Sequence, residues 1–196
     1  MTTHYYSKNQ KSELGLKKIS VVLRGKGLEF YTGSGVFSKD KIDDGSYTLI
    51  QNAIIKKGWK ILDFGCGYGA VGVAIAKSEE TDVLLADVNE RAVHLAEKNI
   101  ELNKVKAEAR TSDLFSNIPE KFDAILLNPP QSAGKKLCFR MIEESGGHLN
   151  KGGLLQLVAR PRKGGKTLAE KMKEIFRNVE VIAKGAGFSV YASKKN

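Results

Sequence analysis

Trp59-Lys60-Ile61-Leu62-Asp63-Phe64-Gly65-Cys66-Gly67-Tyr68-Gly69-Ala70-Val71-Gly72 runs from a short apolar segment into three closely spaced glycines and out again into a helical pattern. A strand over 59–63, a glycine turn and a helix over 70–77 form the unit that places a ligand at the C-terminal edge of a parallel sheet, because glycine lets the backbone approach the bound molecule. Two ligand classes fit. Gly67 to Gly72 reads G-x-G-x-x-G and Asp87 follows about twenty residues on, as the ribose-binding acid of a dinucleotide site does. Asp63, however, precedes the glycines Gly65, Gly67 and Gly69, and a carboxylate there repels a pyrophosphate but favours a cation such as the methionine end of S-adenosylmethionine.

Outward from this stretch, strand and helix patterns alternate. A strand over 83–87 leads to Asn89 as N-cap and a helix through Ala92, Leu95, Ala96, Asn99 and Leu102. Strands over 105–110 and 122–127, a helix over 136–145, a strand over 154–159, a helix over 166–176 and strands over 179–183 and 188–192 complete the chain. Such alternation predicts a parallel sheet covered on both faces. Only the last pair, joined by Lys184-Gly185-Ala186-Gly187, is linked too tightly for a crossover, so it is expected to be antiparallel. Upstream, residues 19–23 and 28–32 read as a hairpin around Arg24-Gly25-Lys26-Gly27, and a helix from Ser46 through Ile54 is expected to end at Gly58. Residues 1–42 are thus expected to be a tail and hairpin extension, and residues 43–196 the main α/β domain.

Asn128-Pro129-Pro130 closes the strand over 122–127, which is predicted to lie beside the strand that carries the glycine turn. An exocyclic amine on a nucleobase is a poor nucleophile because its lone pair is delocalised into the ring. The Asn128 side-chain oxygen and the Pro129 carbonyl can each accept one amino proton, turning that lone pair out as positive charge develops. Pro129 and Pro130 stiffen the backbone at this point. The same motif in isolation is an ordinary rigid loop; at a ligand-bearing strand end it points to methyl transfer onto nitrogen, driven by positioning. In that reading Asp87, followed by Val88, accepts from the ribose hydroxyls. Asp113 accepts from the adenine amino group while Leu114 packs on the ring, although Asp113 also suits a cap or loop role.

Composition bounds the rest. With 196 residues, 41% hydrophobic and 28% charged, the chain fits one domain with a full core. No apolar run approaches membrane-spanning length and the N-terminus lacks a signal-peptide pattern, so the cytoplasm is the expected location. Cys66 and Cys138 stand alone, which argues against disulfides and a metal site; Cys66 reads as a small residue in a tight turn. The net charge of +10 is unevenly spread: residues 1–42 carry 8 Lys/Arg against 3 Asp/Glu, residues 43–130 carry 10 against 14, and residues 131–196 carry 14 against 5. Basic flanks around an acidic centre suit a polyanion gripped by Lys17, Lys18, Arg24 and Lys26 on one side. On the other stand Lys135, Lys136, Arg140, Arg160, Arg162, Lys163 and Lys166. A solvated lysine-rich surface gives the same counts. No feature sets the oligomeric state, and a monomer is the default.

The alternating order with an antiparallel last strand resembles the class I S-adenosylmethionine-dependent methyltransferase fold, a Rossmann-like seven-stranded sheet. Gly35-Val36-Phe37-Ser38, Asp43-Asp44-Gly45-Ser46, the glycine turn and Asn128-Pro129-Pro130, in that order, further resemble the methyltransferase small domain family. That family includes small-subunit ribosomal RNA guanine 2-amino methyltransferases. The resemblance spans residues 20–193 and implies transfer to the 2-amino group of a guanosine in rRNA or tRNA, with Phe37, Gly45 and Ser46 covering the cofactor. Gln131 stands where base-methylating members commonly carry Phe or Tyr to stack on the flipped base. With Gln131 there, Tyr5, Tyr6 and Phe37 become the candidate stacking residues, and an adenine 6-amino group or a protein glutamine stays open as acceptor. Gln131, Lys135, Arg160, Arg162 and Lys163 are the expected substrate contacts. A non-catalytic RNA-binding module and an NAD-dependent oxidoreductase are the readings from other classes.

Overall fold

The computed structural model describes residues 15–35, 38 and 40–196; Tyr5, Tyr6 and Phe37, expected near the substrate or cofactor, lie outside these described residues. Along the chain come β1 (Lys17–Leu23), β2 (Lys26–Thr32), α1 (Asp44–Asn52), β3 (Lys60–Phe64), α2 (Ala70–Ser78), β4 (Asp82–Asp87) and α3 (Glu90–Asn103). Next are β5 (Ala107–Thr111), β6 (Phe122–Leu127), α4 (Lys135–His148), β7 (Leu149–Ala159), α5 (Gly165–Phe176), β8 (Glu180–Gly185) and β9 (Phe188–Lys194). Seven strands form one sheet of order β5-β4-β3-β6-β7-β9-β8, parallel except for β9, which runs antiparallel between β7 and β8. The chain winds outward from β3 through β4 to β5, then returns to the other side of β3 with β6. Right-handed crossovers then put α2 and α3 on one face and α4 and α5 on the other, and they leave a crevice where the winding reverses, beyond the C-terminal ends of β3 and β6.

Residue alternation along the strands feeds the two faces. Ile61, Leu85, Ala124 and Leu126 pack with α1, α2, α3 and the hairpin, while Leu62, Leu84, Ile125 and Leu127 pack with Met141 and Ile142 of α4 and Leu168 and Met172 of α5. Neighbours in sequence therefore serve opposite cores, which fixes the register of each strand.

Three local expectations differ from the structure. The hairpin turn is Arg24-Gly25 alone, both residues at positive φ (48° and 72°), and β2 begins at Lys26; that two-residue geometry follows the twist of the strands. α1 stops at Asn52 and not at Gly58. The reason is distant in sequence: the buried Gln156 side chain accepts from the Ile54 N–H at 2.7 Å and donates to the Ile54 carbonyl at 2.8 Å, holding the chain extended. β7 starts at Leu149 and reaches the expected strand through an irregularity opposite Phe122–Ala124.

The hairpin pairs with no strand of the large sheet. It docks on α3 instead. Asn99 accepts from the Tyr31 N–H (2.6 Å) and donates to the Tyr31 carbonyl (2.9 Å), and one turn later Asn103 does the same for Glu29 (3.1 and 2.7 Å). Two amides spaced i, i+4 on a helix thus satisfy the free edge of β2 as a neighbouring strand would. Among the described residues, no helix is long and apolar enough to cross a membrane.

Candidate active site

At the end of β3 the Gly65 and Cys66 N–H groups both donate to the Ala86 carbonyl (2.8 and 3.0 Å), and Gly69 closes the turn on the Cys66 carbonyl (2.9 Å). Gly67 stands at φ 55° and gives its N–H to Asp87 Oδ2 at 2.9 Å. A Cβ at position 72 would sit 2.6 Å from Leu85 Cγ, so Gly72 lets α2 press onto β4 and bring Ala70 and Val71 into the crevice wall. The crevice is a cavity of about 240 Å³, room for a ligand and not merely for one or two waters at about 30 Å³ each. Asp63, Gly65, Gly67, Asp87 and Val88 line one side, Asp113 and Leu114 the end of β5, and Asn128, Pro129 and Pro130 the end of β6; Ser46 and Asp43 come from the start of α1.

Two carboxylates set the electrostatics. Asp63 is 3% exposed, accepts from the Gly72 N–H at 2.8 Å, and has no Lys or Arg partner among the described residues. Burial pushes its pKa up to about 7, opposed by the Gly72 hydrogen bond and reinforced by the nearby Asp87 charge. Asp87 is also raised by burial, against hydrogen bonds from the Asn89, Gly67 and Val88 N–H groups. Asp87 Oδ1 takes the Asn89 N–H and Oδ2 the Gly67 N–H, both at 2.9 Å; with the Val88 N–H as a third donor, one of the carboxylate's four acceptor positions stays open. Burial also drives the Cys66 thiol up, which removes it as a nucleophile at neutral pH.

Asn128 is held by the Asp43–Ser46 stretch, of which the sequence reading assigns Gly45 and Ser46, but not Asp43, to the site. Its Nδ2 donates to Asp43 Oδ1 (3.2 Å) and Ser46 Oγ (3.0 Å), while Asp43 Oδ1 also caps α1 through the Ser46 N–H at 2.9 Å. An ionised carboxylate accepts only, so the amide must present its NH2 end to Asp43. Its oxygen then takes no donor from any described residue. Beside it, the Pro129 carbonyl accepts the Gln131 N–H at 2.8 Å in a tight turn about Pro130 (φ −74°, ψ 76°); this inverse γ-turn fixes its direction and leaves one lone pair. The tie from Asn128 to Asp43 spans 85 residues of sequence, which spacing alone does not show.

Leu114, beside Asp113, holds a left-handed backbone (φ 50°), at a cost of about 1–2 kcal/mol for a non-glycine residue. Ser112 Oγ donates to the Leu114 carbonyl (2.8 Å) and accepts from the Asn117 N–H (3.1 Å), which holds that turn against the cavity. Other expected site residues lie elsewhere. Gly69 packs on Leu85 and Ala96, and Gly45 is pressed against Phe188, where a Cβ would meet the ring at 2.9 Å. Gln131 turns away from the cavity and donates to the Lys163 carbonyl (3.1 Å). Lys135 sits over the Phe139 ring, and Arg160, Arg162 and Lys163 border a separate cleft. After Asp87 in sequence, Asn89 and Arg91 hold the Gly35 and Ser34 carbonyls (both 3.0 Å), the stretch that leads to Phe37.

The N-terminal cations do not form the expected free grip. Arg24 donates to the Ile50 and Ala53 carbonyls and pairs with Glu79 at 2.6 Å, while Lys17 and Lys18 pair with Asp40 and Glu29.

The chain is 38% identical, over an alignment of 202 positions covering 100% of both proteins, to the uncharacterized protein YbxB of Bacillus subtilis. It is 38% identical over 171 positions to the ribosomal RNA small subunit methyltransferase C of Hamiltonella defensa, covering 85% of this chain and 50% of that one. A T. thermophilus 16S rRNA N2 methyltransferase, solved with AdoMet and guanosine, superposes with a TM-score of 0.83 at 26% identity, over 94% of this chain and 52% of that one. The chain thus spans about half the length of the named methyltransferases it matches. The model described as "Methyltransferase small domain" matches residues 27–192, nearly all of the described core, and the chain belongs to the methyltransferase small domain family.

Proposed function

We propose that this chain moves a methyl group from S-adenosylmethionine to an exocyclic base amine in RNA, the 2-amino group of a guanosine. The observation that carries this reading is the clamped Asn128 amide, whose oxygen and the adjacent Pro129 carbonyl stand as two fixed acceptors on the cavity wall. An amino group that gives one proton to each is held with its lone pair out of the ring's conjugation, and the two dipoles stabilise the positive charge that grows on nitrogen. The cavity also fits the cofactor: a buried carboxylate without a cationic partner among the described residues at Asp63, a ribose acceptor at Asp87 with an acceptor position still open, and the Asp113–Leu114 turn for the adenine. When bound, the cofactor supplies a sulfonium-activated methyl group. Asp43 and Ser46 hold Asn128, and the apolar wall of the partly buried Leu137 and the buried Met141 limits water. Residues 43–196 would form the catalytic unit, with the hairpin as its extension and the cytoplasm as its place of work.

Incubation with tritiated S-adenosylmethionine and 16S rRNA, 30S subunits or bulk tRNA, followed by nucleoside mass spectrometry, tests the reading. N2-methylguanosine is the expected product. N6-methyladenosine would change the base, and label in protein glutamine would change the class of acceptor. Asn128→Ala should abolish transfer with cofactor affinity nearly kept. Asp43→Ala should lower kcat at least about tenfold, about 1.4 kcal/mol of transition-state stabilisation, and Asp43→Asn, which still accepts from Asn128, should restore most of it.

A further inference from the structure

Beside the cavity, on the far side of the α1 N-terminus, lies an open cleft between two loops: Arg160 to Lys163, after β7, and Lys184 to Ser189, at the β8–β9 turn. Every charged residue that borders it, Arg160, Arg162, Lys163 and Lys184, is basic and exposed, and none has a carboxylate in ion-pairing range among the described residues. Lys17, Lys18, Lys57, Lys106 and Arg140 each pair with a carboxylate, while Lys26, Lys98, Lys104, Lys135 and Lys136 share the cleft's lack of one among the described residues; what sets the cleft apart is that four such cations border one concavity. The cleft is also preorganised. The Arg160 carbonyl accepts from the Lys163 and Gly165 N–H groups (both 3.0 Å), and the Gln131 side chain ties the Lys163 carbonyl to the end of the Asn-Pro-Pro segment.

Arg160 is the distinctive element. Its guanidinium carbon lies over the Phe188 ring, 4.4 Å from the centroid, while the residue stays exposed. A guanidinium seated over an aromatic ring can take a base on its open side by stacking, with no specificity for which base. Phe188 also presses on Gly45, one residue from the Ser46 that holds Asn128, so platform and acceptor pair share one wall. We propose that this cleft takes the nucleotide next to the one being modified, its base on the Arg160–Phe188 stack and its phosphate among Arg162, Lys163 and Lys184. The proposal rests on the RNA reading and adds a second subsite to it.

Fluorescence anisotropy with a ten-nucleotide single-stranded oligouridylate, and with the same sugar-phosphate chain lacking its bases, separates stacking from charge. Arg160→Lys keeps the charge and removes the plane. It is expected to weaken the base-bearing oligomer about tenfold, within the range of one stacked base, and to leave the abasic oligomer within about twofold. Phe188→Ala should act alike, and Arg160→Lys covers the case in which loss of Phe188 disturbs α1. Equal loss for both oligomers under Arg160→Lys would overturn the stacking platform, and no loss for either would take RNA out of the cleft. A decaglutamate peptide that competes as well as oligouridylate would assign the cleft to a protein partner and overturn the proposal. Wild-type methyl transfer to rRNA, run in parallel, keeps the two readings apart: no transfer with base-dependent binding intact sinks the catalytic reading alone, and transfer with no effect of Arg160→Lys on either oligomer sinks the cleft alone.

Discussion

At the residue scale the site works by pairing each polar atom either with a fixed partner or with an open position. Asp63 has one partner, the Gly72 N–H, and otherwise lies in a buried setting that pushes its pKa up to about 7 from 3.8. Between those two values the unfolded chain has lost this proton while the native chain keeps it, so the native state binds more protons. Stability of the free protein contributed by Asp63 therefore falls as pH rises from about 4 to about 7 and levels off above. A cation bound beside Asp63 favours the carboxylate and reverses the shift. S-adenosylhomocysteine, whose ammonium is retained, should then bind more tightly as pH rises from about 6 to about 8, by up to tenfold per unit while Asp63 is protonated, with proton release visible in calorimetry across buffers of different ionisation enthalpy. Asp63→Asn should flatten that profile; an unchanged profile would assign the proton to another group. The sequence pointed to Asp63, Asp87 and Asn128 because each stands at or just beyond the C-terminal end of a strand. It gave Asp43 no tie to Asn128, a contact that spans 85 residues, and it did not show that the Gln131 amide donates to the Lys163 carbonyl.

At the element scale, the strand and helix alternation was legible because buried parallel strands and amphipathic helices leave different periods in the chain. Boundaries set by distant partners were not. Gln156 ends α1 from 102 residues away, and no cap rule read near Gly58 contains that residue. The docking of the hairpin is of the same kind. Asn99 read as a position on the helix face; in the fold it is fully buried and makes three hydrogen bonds, two to Tyr31 and one to the Tyr68 carbonyl at 2.8 Å. It links hairpin, α3 and the glycine turn in one network. Asn99→Ala leaves three backbone groups unpaired in a dry setting and should cost about 2–4 kcal/mol, read as a lower urea midpoint with an unchanged slope. Because Tyr68 belongs to the turn, cofactor affinity should fall with it. A loss under about 1 kcal/mol would mean that water replaces the amide and that β2 stays in place without it.

At the scale of the whole molecule the charge count located an asymmetry but not its use. Both flanks are basic in sequence, yet the fold treats them differently. Arg24 is consumed by Glu79 and by two α1 carbonyls, and Lys17 and Lys18 each face a carboxylate. The cations after β7 and at the β8–β9 turn have no such partners and border a cleft that shares a wall with the site. A polyanion therefore meets a cluster of uncompensated cations at this cleft. Counterion release makes this measurable, since the slope of log affinity against log salt falls by about 0.7 for each phosphate contact removed on a single strand. Replacing Arg162, Lys163 and Lys184 with Gln should lower the slope for oligouridylate by about 2. Replacing Lys17 and Lys18 should leave it unchanged, because each lysine is already offset by its own carboxylate. Anisotropy titrations between about 50 and 200 mM KCl compare the two variants directly, and equal slopes for both would spread the RNA path across both flanks.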